Sequence, residues 1–489
     1  MSVRTISTSA ALAFVAAALT ATVSPVGAQS STSAALLARA RGIHDRVITL
    51  DTHNDISPRN FRDDCNYTMR LRTQVNLPKM IEGGLDVSFM IAYVGQGELT
   101  EDGYARAYQQ VSEKFDAVHR LTDQIAPNQI ELALTPADVV RIAKSGKKVA
   151  VIGIENGYGV GTDLERVKEF WTRGGRYMSL AHNGNSQLAD SNSTEETEVG
   201  GIHGGLSPLG KQVIAEMNKW GIMVDISHPS KQANLQAMAL SRAPVIASHS
   251  GVRALGNHTR NLDDEMLLAL KKNGGVIQTV AFASYVTVND PDGARGDAIE
   301  ALNTEFGIAP PARGGGAGRG GGRGAGARAG GAGRGQGAAP EPPPCNIEDP
   351  NAAAAPARGG GGGGGGGRGG NQAALDGLSA ARRAEYDAKL EAVQVVYPVP
   401  DRATVADFVN HIDYAVKLIG IDHVGISSDF DGGGGVVGWN SAAESFNVTL
   451  ELVKRGYTEE QIGKLWSGNL LRVWAEVEKV AKQIQADGK

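Results

Sequence analysis

Cysteine is nearly absent: the 489 residues contain two, Cys65 and Cys345. Two thiols build neither a disulfide scaffold nor an all-cysteine zinc site. Aromatic residues make up only 5%, and the formal net charge is −5. That mildly acidic balance argues against a nucleic-acid partner, which calls for a clearly basic surface. Long apolar runs are missing too. The alanine-rich stretch 10–21 is too short for a comfortable bilayer span of about 20 residues. With Arg4 before it and Val26-Gly27-Ala28 after it, this stretch reads as a secretory signal over 1–28, an uncleaved anchor being the competing reading. The expectation is an exported chain, periplasmic or secreted, with no integral membrane span in its mature form. Export permits a Cys65–Cys345 disulfide, with two separate thiols as the alternative.

Glycine, by contrast, is abundant, and 25 of its 65 residues fall within 314–370. They alternate with Ala, Pro and Arg319, Arg323, Arg328, Arg334, Arg358 and Arg368. Such composition buries too little apolar surface to offset its ordering entropy. Residues 309–372 are therefore expected to be a low-complexity, disordered insertion. The Arg-Gly spacing resembles RNA-binding tracts, yet in an exported chain a tolerated surface insertion is the simpler reading.

A hydrophobic content of 41% supports a substantial core elsewhere. Without the signal and insertion, roughly 400 residues remain, an ordinary size for one (β/α)8 barrel. Eight short apolar runs, 47–51, 86–94, 148–154, 176–180, 222–226, 244–247, 275–280 and 423–427, are separated mostly by helical patterns such as 104–121, 209–220, 231–240 and 263–273. This alternation predicts parallel pairing and an α/β fold, a (β/α)8 TIM barrel, as a single domain over 29–489. Helices at 380–393 and 404–418 should precede the last strand, and an amphipathic stretch at 459–483 should pack outside.

Polar residues gather where the runs end: His53 and Asp55, Glu155, His182, His228, His249 and Asp429. All carboxyl ends of a parallel barrel share one rim, where barrel enzymes place their sites. His53 and Asp55, two apart on a strand, face the same way. Imidazole and carboxylate without thiolate suit hydrolytic zinc with open coordination positions. The predicted ligands are His53 and Asp55 for one ion, His228 and His249 for a second, and Glu155 bridging. A hydrogen-bonded core histidine is the bland reading for any one of them, but not for five ligands on one rim. His44, His119, His203, His258, His411 and His423 receive no role.

Together these segments resemble the renal dipeptidase (membrane dipeptidase) family of metallopeptidases. The likeness rests on Asp51-Thr-His-Asn-Asp55, Ile152-Gly-Ile-Glu-Asn156, Leu180-Ala-His-Asn-Gly-Asn185, Gly205-Leu-Ser-Pro-Leu-Gly210 and Val224-Asp-Ile-Ser-His228. It continues through Ala243-Pro-Val-Ile-Ala-Ser-His-Ser250, Arg260-Asn261 and Asp422-His-Val-Gly-Ile-Ser-Ser-Asp-Phe-Asp-Gly432. The resemblance implies two Zn2+ per subunit, a small dipeptide substrate that in some members is L-Xaa-D-Xaa, attack by a metal-bridging hydroxide, and a homodimer. His182 would bind the scissile carbonyl, Arg260 the substrate carboxylate, and Asp429 would shuttle the proton. The residues also allow a second-shell bond for His182, a surface ion pair for Arg260, and a structural or metal-ligating Asp429. The family's tyrosine after the seventh run has no clean counterpart in Val280-Ala-Phe-Ala-Ser-Tyr285, and no lipid-anchor signal follows Gln483. Competing functions are a related barrel hydrolase for lactones, phosphotriesters or cyclic amides, and a binding protein that works through its glycine-arginine tract.

Overall fold

The computed structural model describes residues 33–195, 197, 199–288, 294–308, 344–348, 375, 377–398 and 401–488. The expected signal at 1–28 and most of 309–372 lie outside these residues.

Among the described residues, eleven strands occur in chain order. β1 (Leu50–Asp55) is followed by a small antiparallel hairpin, β2 (Phe61–Arg62) and β3 (Cys65–Asn66). Next come β4 (Val87–Tyr93), β5 (Ile130–Leu132), β6 (Lys148–Glu155) and β7 (Gly175–Ser179). β8 (Met223–Asp225), β9 (Ile246–Ser250), β10 (Val276–Val280) and β11 (Val424–Ser427) complete the set. The large sheet runs β1-β4-β6-β7-β8-β9-β10-β11, with every pairing parallel and β5 added at the start of β6. A bridge from Asn54 to Phe430, and the bond from Asp55 N–H to the Phe430 carbonyl at 2.8 Å, join its two ends. The result is an eight-strand (β/α)8 barrel, as the alternating pattern implied.

Period two fixes which side chains point inward. Val87, Phe89 and Ile91 on β4, Val149 and Val151 on β6, and Tyr177 on β7 form the inner core with Leu50, Met223, Ile246 and Val276. Further along the same inward rows stand Tyr93, two residues beyond Ile91, and Glu155, four beyond Val151, both at the carboxyl ends. The alternate row, including Met90, Ile152, Ile154 and Met178, packs in the layer shared with the helices. The C-terminal stretch is not one helix: a π turn at Lys464–Gly468 joins Glu459–Gly463 to Asn469–Asp487. Leu470, Val473, Trp474 and Val477 join the inner core, so this last helix closes the amino end of the barrel and leaves the opposite mouth free. Among the described residues no helix is long and apolar enough to cross a membrane.

Part of the glycine-rich excursion departs from expectation. Residues 344–348 are held against the loop after β3. Cys345 is disulfide-bonded to Cys65, Arg72 N–H donates to the Asn346 carbonyl at 2.9 Å, and Glu348 N–H to that of Arg70 at 2.9 Å. The Glu348 carboxylate also pairs with Lys79 at 3.0 Å and Arg70 at 3.3 Å. Composition hid this anchor because one cysteine and its neighbours carry all of it.

Candidate metal centre

The barrel mouth collects every predicted ligand. Glu155, at the end of β6, is 2% exposed and acts as the hub. Its Oε1 lies 2.8 Å from His228 Nε2, 3.2 Å from His249 Nε2 and 3.7 Å from His182 Nε2. Its Oε2 lies 3.5 Å from His53 Nε2, which is 4.0 Å from Asp429 Oδ1. Three groups bring their ligand atoms within 4.8 Å of one another: His53 with Glu155 and His249, Glu155 with His182 and His228, and His53 with Asp55 and Asp429. The clusters therefore include His182 and Asp429, for which the family resemblance implied carbonyl-binding and proton-shuttling roles and, for Asp429, the residues also allowed metal ligation.

Outer contacts settle which ring nitrogens face inward. Ser248 Oγ donates to Asp225 Oδ2 at 2.6 Å and so accepts from His249 Nδ1, 2.7 Å away. Tyr177 O–H donates to the Thr52 carbonyl at 3.1 Å and accepts from His53 Nδ1 at 2.8 Å. Both Nε2 atoms are left with lone pairs aimed at the cluster, as metal-binding histidines require. His53 Nε2 and Asp55 Oδ1 are buried without a hydrogen-bond partner. His228 Nε2 faces His249 Nε2 at 3.1 Å across the same carboxylate oxygen. Lone pairs converging in this way need a cation between them, so the residues present fit a metal cofactor.

Charge balance points the same way. Burial holds the imidazoles of His228 and His249 well below the ordinary value, so both are neutral. It also lowers His182 to about 4. At His53 burial acts downward, but Glu155 outweighs it and raises the ring to about 9. Burial lifts Asp429 to about 8, opposed by His53 and reinforced by Asp55 and Glu155. A bound cation would supply the positive charge these carboxylates lack, reversing the upward shifts of His53 and Asp429 and holding the other imidazoles neutral.

The backbone is bent to deliver these side chains. The non-glycine residues with positive φ among those described are Asn156 (74°), His228 (80°), Asp429 (58°) and Asp431 (61°), all at the mouth. Such strain persists where the surroundings over-determine it, and it clusters at functional sites. Asn156 follows Glu155 directly and fixes that turn through bonds to the Val94 carbonyl and Gln96. At Gly432 a Cβ would stand 2.3 Å from Asp429 Oδ1 and 2.6 Å from Asp55 Oδ2, so only glycine leaves room for both carboxylates.

Arg260 is buried at 3% exposure. Its Nη1 donates to Ser250 Oγ at 2.8 Å, while Nε and Nη2 have no hydrogen-bond partner among the described residues. Its charge lies near enough to depress His182, His228 and His249. The surface ion pair considered for it is excluded by this burial. Tyr285, in the short helix Ala283–Val286, sits 5.8 Å from the guanidinium and stacks on Phe282 at 4.2 Å. An aromatic hydroxyl residue thus stands beside Arg260 although the local motif does not align cleanly.

Over residues 37–488 the sequence matches the model of the membrane dipeptidase family, peptidase family M19. The chain belongs to this family. It is therefore a peptide-bond hydrolase of the metallodipeptidase kind, and the family implies a metal cofactor. It is 26% identical over 419 residues to dipeptidase tcpJ of Claviceps purpurea (strain 20.1), covering 85% of this chain and 72% of that one. The probable dipeptidase PvdM from Pseudomonas aeruginosa shares its structure with a TM-score of 0.67 and 30% identity, over 91% of this chain and 99% of that one. A metallo peptidase from Rhodobacter sphaeroides, solved with a phosphinate mimic of the dipeptide L-Ala-D-Ala, shares the fold at 18% identity and a TM-score of 0.58, over 88% and 99%.

Several residues of this M19 centre escaped the sequence. Tyr177 reads as a core aromatic in mid-strand, and Asp225 and Ser248 read as motif filler. The signal for Tyr177 lies opposite it: a Cβ at Gly153 would come within 2.3 Å of its ring. His44 and His411, also unassigned, are buried and structural. His44 bonds Thr449 at 2.7 Å and the Gly83 carbonyl at 2.8 Å, and His411 accepts from Val252 N–H at 3.0 Å.

Proposed function

We propose that this M19 hydrolase is an exported, zinc-dependent dipeptidase that cleaves the amide bond of dipeptides, L-Xaa-D-Xaa included. The observation that carries the substrate class is Arg260: a buried guanidinium with two unpartnered N–H edges beside a histidine–carboxylate cluster. A guanidinium pairs with a carboxylate through two parallel bonds. It would measure the substrate from its C-terminus, so a second residue beyond the scissile bond would leave no room.

His53 and Asp55 would hold one zinc ion and His228 and His249 the other, with Glu155 between them. When bound there, the metal would supply Lewis acidity and lower the pKa of water. His182, neutral at working pH, donates an N–H to the carbonyl oxygen as negative charge develops on it. The Asp429 carboxylate takes up a proton and returns it to the departing amine. Arg260 orients the dipeptide so that its carbonyl meets both groups. The Cys65–Cys345 disulfide supports export, since such bonds persist in oxidising compartments.

Metal analysis of purified protein with a panel of dipeptides tests this reading. Zinc at about two per chain and hydrolysis of dipeptides, with tripeptides at least about tenfold slower, is the expected result. Tripeptides cleaved as fast as dipeptides would overturn the specificity.

A further inference from the structure

We propose that a side cavity beside the metal centre receives the side chain of the substrate's N-terminal residue and selects a carboxylate there. This inference rests on the dipeptidase reading and goes beyond it. The cavity, about 440 Å³, lies between the end of β4 with its following loop and the helix Glu101–Arg120. Tyr93, Gln96, Arg106, Gln110, Glu113 and Lys114 give it its polar character.

Its position follows from the strand order. β4 is second and β9 sixth in the ring of eight, so they stand on opposite sides of the mouth. Arg260 is bound to Ser250 on β9. A dipeptide whose C-terminal carboxylate meets Arg260 therefore extends its other residue across the metal cluster toward β4. There the Tyr93 ring packs on His182 at 4.7 Å between centroids, so the cavity opens next to the residue assigned to the scissile carbonyl.

Its chemistry follows from Lys114. The ammonium stands 5.0 Å from the centroid of the Tyr93 ring, on the cavity side, and makes no hydrogen bond or ion pair among the described residues. Asp55 and Glu155 are the carboxylates that face it through space. Metal ions bound at those carboxylates would meet their demand for positive charge and leave the ammonium to a ligand. Arg106, exposed on the same helix as Lys114, adds a second cation that makes no hydrogen bond or ion pair among the described residues. The opposing carboxylate, Glu113, accepts from Gln109 at 3.2 Å on the outer surface of its own helix. A glutamate or aspartate side chain entering from the metal side meets Lys114 first and Arg106 beyond it.

The test compares kcat/KM for Glu-Ala, Gln-Ala, Leu-Ala and Lys-Ala with the zinc-loaded enzyme. Glu-Ala should exceed its neutral isostere Gln-Ala about tenfold or more, and Lys-Ala should be poorest. Lys114→Met and Arg106→Gln should each reduce the Glu-Ala to Gln-Ala ratio several-fold. Arg106 lies on the surface, so R106Q keeps the test open if K114M fails to fold. Equal loss on both substrates in K114M would show that Lys114 only balances Asp55 and Glu155, and would overturn the proposal. So would a native enzyme that prefers Gln-Ala or Leu-Ala. Cleavage of dipeptides without an acidic preference defeats this inference alone, whereas no dipeptide cleavage defeats the dipeptidase reading with it.

Discussion

Tyr177 on β7 holds the imidazole of His53 on β1, its phenolic oxygen 2.8 Å from Nδ1, and donates its own hydrogen bond to the Thr52 carbonyl. This bond orients the ring and leaves Nε2 as the acceptor. Tyr177→Phe should therefore lower metal affinity about 10- to 100-fold, as loss of such outer contacts does. Competition with a chromogenic chelator measures it. Unchanged affinity in a folded variant would mean that His53 needs no such support.

Gly153 makes that contact possible. A Cβ there would collide with the Tyr177 ring at 2.3 Å. Gly153→Ala should cost about 1–3 kcal/mol of stability and also reduce bound metal. Thermal melts and metal content, measured together, separate the two effects.

Arg260→Lys keeps a positive charge but loses the planar fork. Dipeptide kcat/KM should fall about 100-fold or more. Dipeptide amides, which lack the carboxylate, should be poor substrates for the native enzyme and hardly worse for the variant. A variant that loses equally on both would place Arg260 elsewhere in the reaction.

Chelation should abolish activity and lower the melting temperature, because the buried carboxylates and lone pairs lose their counter-charge. At a metal concentration of 1,000 Kd the linkage amounts to about 4 kcal/mol. Added zinc should restore both. Stability indifferent to the metal would show that the cluster balances itself.

The Cys65–Cys345 bond closes a sequence separation of 280 residues. Its loss in Cys345→Ser, or in reductant, should cost about 2–4 kcal/mol, seen as a lower melting temperature. Protease cleavage near 344–348 should appear at the same time.

The barrel and its mouth were legible because two strong regularities coincide. Strand–helix alternation forces parallel pairing, and parallel pairing brings His53, Glu155, His228 and His249 to one rim whatever their separation. Residues that act through another side chain were not legible. Tyr177, Asp225 and Ser248 look like ordinary strand residues until the ring nitrogens they touch are known. Lys114 lies on a helix whose pattern reads as amphipathic, and nothing local says that it faces a cavity. β5 is three residues long, too short for periodicity, and the pairing of 344–348 with 70–72 is set by partners far away in sequence.

Asn156, His228, Asp429 and Asp431 all hold the left-handed backbone that glycine adopts freely. Each carries a penalty of about 1–3 kcal/mol. At His228 and Asp429, whose side chains enter the metal cluster, a glycine would relieve that strain and disarm the centre, whereas the side chains of Asn156 and Asp431 offset theirs through hydrogen bonds to neighbouring backbone. A duplicated copy released from catalytic duty would drift toward glycine at His228 and Asp429 first. Retention of the costlier residues in descendants would serve as a fossil record of continued enzymatic use.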